Sequence, residues 1–187
     1  DSGNTEYGTA IVGTVSGTNI SFGTAVVFES GNEGAIFTAA AFDTNSNKVV
    51  IAYRHKANSE YGTAIVGTVS GTGISFGTKV VFNSAESNYM TATFDSTSNK
   101  VVIAYTDNGN SNYGTAIVGT VSGTNISFGT AAVFRASTSI YISSSFDSDS
   151  NKVVIAYTDD SGKASAGTVS GTSISFDSPV VFDSNNV

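Results

Sequence analysis

One segment of about fifty residues is written three times in this chain and begun a fourth time, nearly letter for letter. The motif YGTAIVGTVSGT begins at Tyr7, Tyr61 and Tyr113, with spacings of 54 and 52 residues. The motif NKVVIAY begins at Asn47, Asn99 and Asn151. A repeat of this length is typical of stacked β units such as propeller blades, so the chain is expected to be an array of one small unit.

Four strands can be recognised in each copy. In the first complete copy they are Ile36–Phe42, Lys48–Tyr53, the segment that begins at Tyr61, and Ile74–Phe82. The first strand is rich in small residues, the second is a short apolar run, and the third alternates with a period of two. Since no segment has an apolar stripe with a period of 3.6 residues, the sequence predicts an all-β chain with almost no helix.

Short turns between these strands predict antiparallel hairpins. The first turn reads FDTNSNK in the first complete copy, in which Asp43 can accept backbone hydrogen bonds and Asn47 suits a left-handed conformation. The turn between the third and fourth strands reads SGT, and its glycine tolerates a positive φ. A four-stranded meander of this kind is apolar on both faces, so each unit must pack against a copy on either side.

Radial stacking of four-stranded sheets gives a β-propeller, and the small first strand suits the crowded centre of such a ring. The patterns YGTAIVGTVSGTxISFGTxVVF and FDxxSNKVVIAY cover essentially the whole chain. In these patterns the sequence resembles the repetitive β-propeller proteins of bacterial surfaces and phage tail fibres. The resemblance implies a propeller-type architecture and a location outside the cell or on a virion or cell surface, and it carries over no functional residues.

Counting strands predicts three and a half blades. We expect fourteen strands: two in residues 1–30 (the half-unit) and four each in residues 31–82, 83–134 and 135–187 (the first, second and third units). Propellers have four to eight blades, so one chain is not expected to close a ring by itself. Three alternatives remain: chains that share a ring, a partner segment that completes it, or an open array capped by other molecules. Self-association into a homo-oligomer or a filament is the expected outcome.

Composition excludes several classes of partner and cofactor. Only 12% of the residues are charged, and the formal charge of −7 with a pI near 4.4 disfavours nucleic acid and anionic membranes, which bind clustered Lys and Arg. No apolar run approaches the length of a membrane span. The chain has no cysteine. Because the chain opens at Asp1, we interpret it as a processed or excised product.

No metal or other cofactor is expected. Asp147, Asp149 and Asn151 match half of a calcium loop. The second unit has Thr97 at the middle position, however, and no glutamate follows at the required distance, so the segment is interpreted as a turn.

The connections between strands differ in how much they vary between copies. Turns from first to second strand and from third to fourth are nearly constant, whereas the other connections change completely. The connections from second to third strand, for example, read RHKANSE (residues 54–60), TDNGNSN (106–112) and TDDSGKA (158–164). In an antiparallel four-stranded unit, both variable connections emerge at the same end. We call this end the variable face.

A binding surface is predicted on the variable face. Each unit has an aromatic residue where its first strand begins, and polar residues lie beside it. The aromatic residues are Phe37, Tyr89 and Tyr141, and the polar residues are Arg54, His55, Asp107, Asn108, Asp159 and Asp160. Aromatic rings bordered by polar groups suit sugars, and repeated sites would raise avidity. The alternative is that the rings fill the wide end of each unit and the loops vary because nothing constrains them.

These observations favour a non-enzymatic structural or adhesive repeat protein with a glycan as a candidate ligand of its variable face. The alternative is a dedicated carbohydrate-binding propeller of the lectin type. A more remote alternative is a glycoside hydrolase, for which Asp159 and Asp160 would supply carboxylates. We assign no catalytic residue.

Overall fold

The computed structural model describes residues 7–30 and 34–184, which form eighteen strands and a single 3-10 turn at Asn108–Asn110. No α-helix occurs in these residues, so the prediction of an all-β chain is confirmed. The described sheets close neither a barrel nor a ring.

The strands follow the repeat. The half-unit contains β1 (Gly8–Ala10), β2 (Gly13–Ser16), β3 (Asn19–Phe22) and β4 (Val26–Glu29), and the first unit contains β5 (Ala35–Asp43), β6 (Lys48–His55), β7 (Tyr61–Ser70) and β8 (Gly73–Phe76). Strand β9 (Val80–Asp95) leads into the second unit, which continues with β10 (Lys100–Asp107), β11 (Tyr113–Ser122) and β12 (Asn125–Phe128). The remaining strands are β13 (Ala132–Thr138), β14 (Ile140–Asp147), β15 (Lys152–Thr158), β16 (Gly162–Ser170), β17 (Ser173–Phe176) and β18 (Val180–Asp183).

The predicted count of fourteen strands is wrong for two reasons. Every fourth strand is broken into two pieces, and so is the third strand of the half-unit, whereas β9 joins a fourth strand to the next first strand. The fourth strands break where one unit touches the next. A Cβ atom on Gly77 would lie 1.9 Å from the carbonyl oxygen of Thr124, so only glycine allows this approach of two backbones.

The units pack face to face. On β10, Val101 and Ile103 pack in one cluster with Val50 of the first unit, whereas Val102 packs in a second cluster with Val153 of the third unit. Strand β10 is therefore covered on both faces, which explains its unbroken apolar sequence. Strand β9 pairs with β7 and then with β10, so hydrogen bonds also join the first two units into one nine-stranded sheet.

The predicted turn chemistry is confirmed. Asn47, Asn99 and Asn151 have φ values of 57°, 54° and 54°. The carboxylate of Asp43 accepts the backbone N–H groups of Asn45 and Ser46 at 2.9 and 3.0 Å. In the SGT turn of the first unit, the residue with positive φ is Gly71, at 57°. These local bonds stabilise the turn between the first and second strands, which lies at the end opposite the variable face.

Candidate functional site

Backbone hydrogen bonds bring the two kinds of variable connection together. The carbonyl oxygen of Glu60 accepts the N–H of Ser87 at 3.3 Å, and that of Asn112 accepts the N–H of Ser139 at 3.2 Å. Each bond joins a connection from second to third strand with the segment that enters the next unit. The variable face is therefore a continuous surface across neighbouring units.

The three predicted aromatic residues occupy bulges in their strands. In the first unit, Phe37 and Thr38 lie opposite the single residue Tyr53. The second and third units have bulges at the same position. The φ values of Phe37, Tyr89 and Tyr141 are 51°, 45° and 52°. A bulge with its first residue in the left-handed region normally has glycine there. A bulky residue with positive φ is strained by about 1–3 kcal/mol, and such strain is concentrated at functional positions.

The bulges turn the three rings into contact with one another. The ring centroids of Phe37 and Tyr89 are 5.3 Å apart, and those of Tyr89 and Tyr141 are 5.5 Å apart. The guanidinium of Arg54 lies over the Phe37 ring, at 5.0 Å from the ring centroid. We call this row, from Arg54 to Tyr141, the aromatic ladder. Tyr141 is its most exposed ring, at 68%, whereas Phe37 is 40% exposed.

Arg54 belongs to the ladder, and most of the predicted polar residues bind neighbouring protein groups. Nη1 of Arg54 lies 2.7 Å from Oε1 of Glu86, 2.5 Å from Oδ1 of Asn88 and 3.1 Å from Oε2 of Glu60. The side chain of Asn88 in turn donates to Oδ1 of Asn108 at 3.2 Å. This network joins the end of β6 to the start of the second unit.

Three of the predicted polar residues occupy equivalent positions and face equivalent partners. Each lies two residues after the tyrosine of a second strand, and its partner follows the phenylalanine of the preceding fourth strand. The pairs are His55 with Glu29 at 3.1 Å, Asp107 with Asn83 at 2.9 Å, and Asp159 with Arg135 at 2.6 Å. We call them the interface pairs. No two pairs have the same combination of residues, yet each pair is complementary.

Glu29 is the centre of the first interface pair. Its carboxylate is buried and accepts hydrogen bonds from Tyr53 Oη at 3.2 Å and Lys79 Nζ at 2.8 Å, in addition to its contact with His55. Burial lowers the pKa of His55, an effect that Glu29 opposes and Lys79 reinforces. Burial, together with the charge of Glu29 and the hydrogen bond to it, also raises the pKa of Tyr53, so this hydroxyl stays protonated.

The third interface pair contains Asp159, one of the two carboxylates considered for catalysis. Burial alone would raise the pKa of Asp159, but hydrogen bonds from Asp160 and Lys163 and the charge of Arg135 hold it below its usual range. Lys163 also contacts Asp160 at 2.5 Å. Asp159 therefore stays ionised, which suits an ion pair and not proton donation.

Identical apolar contacts accompany the variable pairs. In each interface a phenylalanine of one fourth strand packs against a tyrosine of the next unit: Phe28 with Tyr53, Phe82 with Tyr105, and Phe134 with Tyr157, at centroid distances of 5.3, 5.1 and 5.0 Å. The interfaces therefore share one apolar centre and differ in the polar contact at its edge.

The sequence interpretation missed half of each interface pair. Glu29, Asn83 and Arg135 immediately follow the constant VVF or AVF segment, and the residue at this position changes in every copy. The variation was a usable signal. The sequence did not identify the partner, because the two members of a pair are 24 to 26 residues apart.

The half calcium loop behaves as a turn. Asp147 accepts the N–H of Asp149 and the hydroxyl of Ser150, and these bonds lower its pKa. Among residues 7–30 and 34–184, no three His, Cys, Asp or Glu residues are grouped as metal ligands would be. In the same ranges no helix is long and apolar enough to cross a membrane.

Comparison with known proteins gives no match: no family model, no curated protein and no solved structure is similar to this chain.

Proposed function

We propose that this chain is a non-enzymatic structural and adhesive repeat protein whose units stack as propeller-type blades outside the cell or on a virion or cell surface. The observation that carries the proposal is the set of interface pairs. Three polar contacts at one structural position differ in chemistry, and all three are complementary. The residues of the pairs vary between interfaces, but the two members of each pair remain complementary. Such variation favours correct assembly, because it distinguishes interfaces whose apolar centres are the same.

Matched pairs give near-identical units a fixed order. Repeats with the same strands can exchange partners, and a wrong neighbour would bury similar apolar area. A mismatched pair, such as Glu29 facing Asp107, would place two carboxylates together beside a buried contact, which is costly. The variable face is thus proposed to encode which unit lies beside which.

Substitution of Arg135 tests this proposal. Arg135→Asn would create the asparagine–aspartate pair of the preceding interface and is expected to lower the free energy of unfolding by less than about 1 kcal/mol. Arg135→Glu places a second carboxylate against Asp159 and is expected to cost about 2 kcal/mol or more. The double variant Arg135→Glu with Asp159→Asn should recover part of that loss. Equal effects of the two single substitutions, measured by urea denaturation, would show that the position is unconstrained.

Self-association is the second part of the proposal. Large apolar side chains are exposed at both ends of the described array, among them Ile20 and Phe22 on the half-unit and Val180 and Phe182 on the third unit. Light scattering is expected to give assemblies heavier than the 19.1 kDa chain. A mass of one chain at all accessible concentrations would contradict this part and leave the interface pairs unaffected.

Carbohydrate recognition is a second candidate function, favoured by the aromatic ladder. A strained ring at the same position of every unit, with Tyr141 open to solvent, is a suitable stacking surface for a sugar. Binding on a glycan array should be lost in Tyr141→Ala, and Phe182→Ala, which removes an exposed ring from the end of the array, is the matched control. Absence of binding by the unaltered protein to every glycan would remove this candidate.

A further inference from the structure

We propose that the open edge of the half-unit is a binding site for a β-hairpin of the kind formed by the first and second strands of this repeat. The proposal is independent of the function proposed above. It rests on a vacant place in the array whose shape and chemistry are defined by three occupied copies within the same chain.

The third strand of the half-unit lacks its neighbour. In the first unit, β7 pairs along residues 61–67 with β6, and in the second unit β11 pairs with β10 in the same way. Strands β1 and β2 pair only with β4 and β3, so the opposite edge has no strand beside it within the described residues. Backbone N–H and C=O groups along such an edge are available to an added strand.

A cavity of about 440 Å³ lies beside this edge. Its walls come from Tyr7 and β1, from Phe28, from β5 and from Ile51 of β6. The residues that line it include Gly8, Ala10, Phe28, Thr38 and Ala40. In complete units this place, between a third strand and the first strand of the next unit, is filled by the unit's own first hairpin.

Two residues of β5, one of them in the cavity lining, are exposed, whereas their equivalents in later units are covered. Thr38 is exposed, but its equivalents Met90 and Ile142 are buried in the clusters shared with the preceding unit. Phe42 is likewise 50% exposed, whereas its equivalents pack against those clusters. In later units the first hairpin of the preceding unit covers these residues. We therefore infer that the occupant of the half-unit's open edge is a first hairpin with apolar and small side chains.

The internal copies also fix the register of the occupant. The register of β6 on β7 places Val49 opposite Gly67 and Tyr53 opposite Thr63. A hairpin in the vacant place would accordingly have its tyrosine opposite Thr9 and its first valine opposite Gly13.

One contact selects among the three available hairpins. Between the second and third units, Thr91 and Ser144 share a hydrogen bond of 3.0 Å across neighbouring first strands. The residue equivalent to Ser144 in β5 is Ala40, which cannot form that bond. The residue of the hairpin that faces Ala40 is the equivalent of Thr91, and a hydroxyl there would have no partner. The first unit has Ala39 at this position, so its hairpin is the one selected.

The test uses the full chain and a synthetic peptide with the sequence of residues 34–55. We expect saturable binding of one peptide per chain by calorimetry, and slower amide hydrogen exchange at Ile11 when the peptide is bound. A peptide with Ile51→Pro lacks an N–H of the second strand, and its binding should be at least about tenfold weaker.

Two protein variants locate the site. Thr38→Trp fills the cavity and should abolish binding, whereas Ser148→Trp adds the same ring on an exposed turn of the third unit and should leave binding unchanged. The proposal is overturned if the unaltered peptide does not bind, if the proline peptide binds equally well, or if binding leaves exchange at Ile11 unaltered.

Discussion

The ten residues YGTAIVGTVS have one structure in the half-unit and another in the complete units. In the first and second units they form the continuous strands β7 and β11, whereas in the half-unit they form β1 and β2 with a break at Ile11 and Val12. Ile11 is 48% exposed, and the identical position Ile65 is 2% exposed. Since the local sequence is the same, the difference comes from the neighbours: β6 lies beside β7, and no strand of the described part of the chain occupies that place beside β1.

This comparison shows that strand formation in this array is decided by partner strands. The break at Ile11 and Val12 is not a property of those residues, since the same pair lies in mid-strand at Ile65 and Val66. An edge residue without a ladder partner loses both its cross-strand hydrogen bonds and the burial that the partner supplies. The following predictions test this difference, from the largest expected effect to the smallest.

The largest expected difference is between two identical substitutions. Ile65→Ala should lower the free energy of unfolding by about 3 kcal/mol, because it leaves a cavity in a packed sheet interface. Ile11→Ala should cost less than about 1 kcal/mol, because that side chain is half exposed. Urea denaturation measures both. Equal losses would mean that the half-unit is packed like a complete unit in solution.

The second prediction compares equivalent positions at an interface between two units and at the end of the array. The third unit has Asp177 where the preceding copies have Gly23, Gly77 and Gly129. Gly77→Asp should cost about 1–3 kcal/mol, because its Cβ meets the Thr124 carbonyl oxygen. Asp177→Gly is the reverse change at a position with no following unit among the described residues, and its cost should be below about 1 kcal/mol. A loss in Gly77→Asp no larger than that in Asp177→Gly would contradict close contact between the first two units.

The smallest predicted effect is a pH dependence at the contact between half-unit and first unit. The pKa of His55 is lowered in the folded protein, so the unfolded chain binds more protons as pH falls below about 6.5. Stability contributed by neutral His55 is present above that pH and declines as pH falls through the folded pKa. His55→Gln should flatten the decline between about pH 7 and 5. An unchanged slope in thermal unfolding scans would exclude His55 as its source.

Much of the array could be predicted from sequence because its signals are local. The FDxxSNK turn contains its own hydrogen-bond acceptor and its left-handed asparagine, so Asp43 and Asn47 behave as expected. Their place at the start of each first strand located Phe37, Tyr89 and Tyr141. That these rings have positive φ and contact one another was not predictable, because a bulge depends on the register between two strands.

The polar half of the site was only partly predictable. Arg54 and Asp159 were recognised as polar residues of variable connections, with solvent or a ligand as the expected partner. The structure instead pairs Arg54 with Glu86 of the second unit, and Asp159 with Arg135, which follows the phenylalanine of the preceding fourth strand. Sequence distance conceals such pairs, since a hydrogen bond requires proximity in space and the intervening strands determine it.

The sequence by itself determined the all-β fold, the hairpins and the end at which the variable connections meet, because turn chemistry and alternation act within a few residues. Only the tertiary structure decided whether YGTAIVGTVS is one strand or two, which polar residues pair, and how the aromatic residues join into a ladder. These outcomes depend on hydrogen bonds and burial supplied by another unit, and identical local sequences cannot encode that difference.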